Sequence, residues 1–76
     1  MNFNQTYTLE TLTPRQRQVA MLVPDGFTNR QIGQKLGVCE SVVKNYLKEI
    51  YDRLGVWTRL ELAIHIVQRE EMQYDA

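Results

Sequence analysis

From residue 12 onward apolar residues recur at helical spacing, and each periodic run is bounded by residues that start or stop helices. Thr13-Pro14-Arg15-Gln16 opens the first run: threonine caps, proline suits the first turn, and glutamine three residues on completes a capping box. Pro24, Asp25 and Gly26 close this helix after about ten residues. Thr28-Asn29-Arg30-Gln31 is a second box, with Phe27 and Ile32 placed to form a hydrophobic staple across it, and its short helix stops near Leu36-Gly37. A third helix runs from about Glu40 to Leu54 with Gly55 just past its end. Thr58-Arg59-Leu60-Glu61 is a third box, Trp57 is placed to staple onto Leu62, and the fourth helix continues to about Glu71. No stretch alternates like a strand, so the pattern predicts an all-α fold of four helices. Residues 1–11 read as an N-terminal arm or linker, 12–72 as one domain, and 73–76 as a frayed tail.

The second and third helices are separated only by Gly37-Val38-Cys39, the helix-turn-helix spacing in which the second member enters the DNA major groove. Gly33, lacking a Cβ, lets the third helix approach closely. At about 100° per residue that helix separates into two faces. Val43, Leu47, Ile50 and Leu54 make the core stripe, and Ser41, Lys44, Asn45, Lys48 and Asp52 lie roughly opposite. Lysine can contact guanine O6/N7 or phosphate, and asparagine can pair with adenine N6/N7. The bland readings of the same residues are solvated lysines and a Lys48–Asp52 pair at i,i+4.

Overall composition changes this picture little, but the distribution of charge does. The 76 residues carry nine basic and nine acidic side chains, a net charge of zero. Between Thr13 and Arg59, however, eight basic residues face four acidic ones, leaving +4, and the two ends carry −4. A basic centre with an acidic final helix fits one nucleic-acid face and one face turned away from it. One cysteine and one histidine exclude an internal disulfide and fall short of the usual zinc site. Cys39 and His65 have no third group to orient them, so neither catalytic residues, a cofactor nor a metal is expected, and Cys39 reads as a buried or half-buried inert thiol. No segment suits a signal peptide or a membrane span, which points to a cytoplasmic chain, nucleoid-associated when bound.

Leu12-Thr13-Pro14-Arg15, Gly26 through Ile32, Val43-Lys44-Asn45, and Leu54-Gly55-Val56 through Arg59 and Ala63 resemble the LuxR-type (GerE-like) helix-turn-helix domain of bacterial transcription regulators, over about residues 12 to 67. The resemblance implies a four-helix DNA-binding domain, with double-stranded DNA as partner. It implies base contacts from Lys44, Asn45 and Lys48. Phosphate contacts are implied from Thr28, Asn29 and Arg30 at the start of the second helix, and from Ser41 and Tyr46 on the third. It also implies dimerisation through the fourth helix, with another regulator or RNA polymerase as further partners. The family commonly has glutamates where Gln16 and Gln18 stand, serine at Cys39, threonine at Val42 and histidine at Tyr46.

The fourth helix supplies its own argument for a homodimer. Leu62, Ala63 and Ile66 suit the core, whereas Leu60, Ile64 and Val67 form a second apolar stripe that asks for another burial partner. Either a second copy or residues 1–11 folded back would cover it. The rival function is a protein-interaction module, a helix-turn-helix that pairs with and modulates another regulator. Zero net charge and the acidic fourth helix lean that way, and the basic stripe of the third helix leans towards DNA.

Overall fold

The computed structural model describes the backbone of residues 11–75 and the side chains of residues 11–68. Four helices follow one another: α1 (Pro14–Leu22), α2 (Asn29–Leu36), α3 (Glu40–Leu54) and α4 (Arg59–Asp75). α4 is longer than its pattern suggests. The tail expected at 73–76 is helical as far as Asp75, because nothing between Glu71 and Asp75 breaks a helix that has already nucleated. Of the arm expected at 1–11, all but Thr11 lies outside the described residues. Leu12 is buried, and the Thr11 carbonyl accepts a hydrogen bond from Arg53 Nη1 at 2.6 Å, so the domain is anchored from its first described residue.

The first two capping boxes form as the residue types require. Thr13 Oγ1 accepts from the Gln16 N–H at 3.2 Å while Gln16 Oε1 accepts from the Thr13 N–H at 3.0 Å. Thr28 and Gln31 repeat the arrangement at 3.1 and 2.9 Å. The third differs. Thr58 Oγ1 caps the Glu61 N–H, but the Glu61 carboxylate reaches one residue further back and accepts from the Trp57 N–H at 2.6 Å. The staple expected from Trp57 onto Leu62 is absent, since Leu62 is fully buried and Trp57 is 86% exposed. Gly55 reverses the chain at φ 72°, and the carboxylate then holds the Trp57 backbone where its indole points away from the core.

The turn between α2 and α3 is closed by glycine. Gly37 takes the left-handed conformation at φ 76°, and the N–H groups of Gly37 and Val38 both donate to the Gly33 carbonyl, at 2.8 and 2.9 Å. Gly33 itself is buried, and a Cβ built on it would lie 2.5 Å from the Val38 carbonyl oxygen. No side chain fits between α2 and the turn, so this residue sets how closely α3 crosses α2.

A continuous core joins the helices. Val19 and Ala20 of α1, Ile32 of α2, Val43, Leu47, Ile50 and Leu54 of α3, and Leu62 and Ile66 of α4 are all buried. α3 packs against both α1 and α2, and α4 closes on α1. The one buried polar side chain among the described residues is Gln16. Its Oε1 serves the capping box and its Nε2 donates to Glu49 Oε1 of α3 at 3.0 Å, so it is satisfied on both sides.

Cys39 is exposed, which corrects the expectation of a buried or half-buried thiol. It occupies the N-cap of α3, a position beside solvent by construction, and makes no side-chain capping hydrogen bond. The Ser41 hydroxyl, first, and the Val42 backbone N–H, second, favour the charged sulfur and hold the thiol below its ordinary value. Cys39→Ser is expected to raise stability by about 0.5–1 kcal/mol at neutral pH, by supplying an oxygen that accepts from the first turn. A group whose pKa falls on folding stabilises the fold above its unfolded value and loses that contribution as pH falls. The serine advantage should therefore shrink as pH rises towards 9.0, the thiol's ordinary value, and stay at its smallest above it. Urea melts of both proteins at neutral and alkaline pH measure this; equal midpoints at neutral pH would contradict it.

Candidate nucleic-acid interface

α3 is two-faced as its pattern requires. Val43, Leu47, Ile50 and Leu54 are buried, and Ser41, Lys44, Asn45, Lys48 and Asp52 are exposed. Ser41, Lys44 and Lys48 succeed one another at three- and four-residue spacing, a stripe about 10 Å long at 1.5 Å per residue. Among the described residues no hydrogen bond or ion pair engages the side chains of Lys44, Asn45 or Lys48, and the Lys48–Asp52 pair does not form. Two ammonium groups and an amide are thus free to exchange water for a ligand at little cost.

The N-terminus of α2 meets this stripe. Asn29 lines one shallow groove together with Lys44, Leu47, Lys48 and Tyr51, so residues remote in the chain share a wall. Thr28 and Arg30 are exposed beside it. The Thr28 hydroxyl oxygen caps the Gln31 N–H, which leaves its proton to donate outward. The first N–H groups and partial positive charge of α2 add to this anion-favouring edge.

Asn29 is oriented by a residue to which sequence patterning assigned no role. Arg59, at the start of α4, donates from Nη1 to Asn29 Oδ1 and from Nη2 to the Phe27 carbonyl. With its oxygen so occupied, the Asn29 amide presents its NH₂ as the outward donor. The bridge spans thirty residues, and no local rule reports it. A second unanticipated member is Tyr51, half-buried and lining the same groove. Its signal was present: it follows Lys44 by seven residues and Lys48 by three, the spacing of a shared helix face.

Two of the expected phosphate contacts sit differently from the rest. Ser41 is exposed, but its Oγ lies 3.2 Å from Cys39 Sγ and is shared with it. Tyr46 is half-buried against the core. At about 200° around the helix from Lys44 it stands away from the Lys44–Lys48 stripe. The structure therefore gathers Asn29, Lys44 and Lys48 on one groove, keeps Thr28, Arg30, Ser41 and Asn45 exposed, and separates Tyr46. Glu49 is held towards α1 by Gln16, which leaves Asp52 as the carboxylate nearest Lys48 on this face.

The exposed face of α4 is different in kind. Leu60, Ile64 and Val67 of α4 are 69%, 46% and 40% exposed, while Leu62 and Ile66 one face away are fully buried. Ile64 and Val67 line a shallow depression with Pro24 and Ala63. No helix among the described residues is long and apolar enough to cross a membrane.

Comparison with known proteins bears on this geometry. Residues 10–66 match GerE, described as bacterial regulatory proteins, luxR family. The chain is 40% identical over 65 residues to a probable transcriptional regulatory protein, SgaR, of Hyphomicrobium methylovorum; the match covers 83% of this chain and 31% of that protein. It is 33% identical over 57 residues to the nitrate/nitrite response regulator protein NarL of Escherichia coli (75% of this chain, 26% of that one). Against the two-component response regulator PprB of Pseudomonas aeruginosa it is 42% identical over 53 residues, covering 70% of this chain and 19% of that one. The chain thus spans less than a third of the length of these relatives. The family match over residues 10–66 covers all of the helix-turn-helix.

Proposed function

The chain belongs to the luxR family of bacterial regulatory proteins, as an all-α helix-turn-helix DNA-binding domain and not an enzyme, and from that premise we propose that it binds DNA as a homodimer with α3 in the major groove. In this reading Lys44, Asn45 and Lys48 face base edges. Thr28, Asn29 and Arg30 at the start of α2, with Ser41, hold phosphates. Tyr46, half-buried off that stripe, would reach only a phosphate beside the groove. The observation that carries the reading is the uncommitted, exposed Lys44–Lys48 stripe sharing a groove with Asn29.

Binding of the purified chain to mixed-sequence duplex DNA across a salt series tests it. Displacement of counterions from phosphates makes affinity fall steeply as salt rises. A folded sample that binds no duplex at low salt, or binds with no salt dependence, would overturn the proposal in favour of a module that pairs with another regulator.

Dimerisation through α4 is supported by the stripe Leu60, Ile64 and Val67, which a chain this small leaves in water. A two-fold dimer would set its recognition helices about 34 Å apart, one turn of DNA, and would read a pseudo-palindromic site. Ile64→Asp places a charge in the middle of that stripe without touching the core. It is expected to yield a folded monomer with DNA binding weakened at least about tenfold, through loss of the second half-site. Sedimentation and DNA titration of the same variant measure both effects; a folded monomer that binds as tightly as the parent would contradict the dimer.

A further inference from the structure

Trp57, the chain's single tryptophan, stands in the α3–α4 connection with 86% of its surface exposed, more than any other large apolar residue described. Its backbone is nevertheless fixed, between Gly55 in the left-handed conformation and the Glu61 carboxylate that accepts the Trp57 N–H at 2.6 Å. An indole is among the largest apolar surfaces a residue can bury, and it carries one N–H donor. Held in water at an anchored position, it has the character of a contact residue.

Its neighbours identify the partner. Trp57 lines a groove with Lys48, Tyr51, Asp52, Gly55 and Val56. Lys48 and Tyr51 also line the groove that holds Asn29 and Lys44. The two grooves are continuous across those shared residues, and Trp57 stands at the far end of the surface assigned above to DNA. We infer that Trp57 is itself a DNA contact: the indole packs against a deoxyribose of the strand flanking α3, and Nε1–H donates to an adjacent phosphate oxygen. This rests on the reading of α3 as the DNA face. Asp52, in the same groove, repels a phosphate set directly over it, which favours a sugar against the ring and a phosphate beyond it; Lys48 offsets the carboxylate. A second copy of the chain is the competing occupant, since Trp57 precedes Leu60, Ile64 and Val67 at apolar-stripe spacing. The residues beside the indole, however, are those of α3 and its C-terminal turn rather than that stripe.

Because the chain has one tryptophan, its fluorescence reports this residue alone. In the full chain without DNA the emission should be that of a solvated indole, freely quenched by acrylamide. On saturation with mixed-sequence duplex DNA at low salt, the emission should change and acrylamide access should fall several-fold. Trp57→Ala should bind about tenfold more weakly, with the slope of affinity against salt unchanged because no charge is removed. Three outcomes would overturn the inference, and they are distinguishable. If Lys44→Ala/Lys48→Ala binds as well as the parent, the DNA face itself is misassigned and the inference falls with it. If that variant loses binding while Trp57 in the parent stays equally open to acrylamide with and without DNA, Trp57 alone is misassigned. If Trp57 is already shielded without DNA, increasingly so with protein concentration, the second copy is its partner.

Discussion

Lys44→Ala/Lys48→Ala is expected to remove most DNA binding while leaving the fold intact. Both side chains are exposed, and neither has a partner among the described residues, so their loss should change stability by no more than about 0.5 kcal/mol. On DNA each ammonium would replace a condensed counterion or bond a guanine edge. Removing two should cost about 2–4 kcal/mol, roughly 30- to 1000-fold in affinity. It should also flatten the log–log dependence on salt by about 0.9 for each of the two that neutralises a phosphate. The single variants separate the two kinds of contact. A lysine that reads guanine should, when lost, relax sequence preference at one position, whereas a lysine on phosphate should weaken all sequences alike. Titrations against mixed and selected duplexes at several salt concentrations read all of these. An unchanged affinity for the double variant would mean that α3 does not meet DNA through this stripe.

Gly33→Ala should be the most damaging single-methyl change in the domain. In an exposed helix this substitution would gain about 1 kcal/mol, since alanine restricts the unfolded chain and favours the helix. Here the new Cβ would sit 2.5 Å from the Val38 carbonyl oxygen, a backbone atom that cannot swing aside. Either α2 and α3 separate, or the turn that sends two N–H groups to the Gly33 carbonyl is broken. A net loss of about 2–3 kcal/mol is expected. For 76 residues at about 0.05–0.15 kcal/mol each, that is a large share of the total stability. Because α3 would be displaced, DNA affinity should fall even where the variant remains folded. Urea denaturation and DNA titration of the same sample test the two effects; stability equal to or above the parent would show that the turn gives way without cost.

The features legible in the chain were those written within a few residues of one another. Thr13 with Gln16 and Thr28 with Gln31 close boxes three residues apart, and Gly37 and Gly55 end helices as expected. The division of α3 into Val43, Leu47, Ile50 and Leu54 against Lys44, Asn45 and Lys48 needed only the helical period. So did the contrast on α4 between buried Leu62 and Ile66 and exposed Leu60, Ile64 and Val67. The family resemblance added the expectation of phosphate contacts at the start of α2, and the match over residues 10–66 bears out the family and its DNA-binding domain.

Trp57 shows where local rules end. Its spacing to Leu62 suits a staple, yet the choice between packing inward and standing in water depended on a carboxylate one turn later and on the path set by Gly55. Arg59 reached Phe27 and Asn29 across thirty-two and thirty residues, and Gln16 reached Glu49 across thirty-three. By itself, then, the sequence determined the helices, the ends of the first three, and which faces of α3 and α4 would be buried, because periodicity and capping act over one or two turns. Only the tertiary structure decided which residues meet on the groove of Asn29, Lys44 and Lys48, how Asn29 is oriented, and that the indole of Trp57 is left in solvent. Those outcomes depend on how α1 to α4 cross, and the crossing follows from packing between residues remote in the chain.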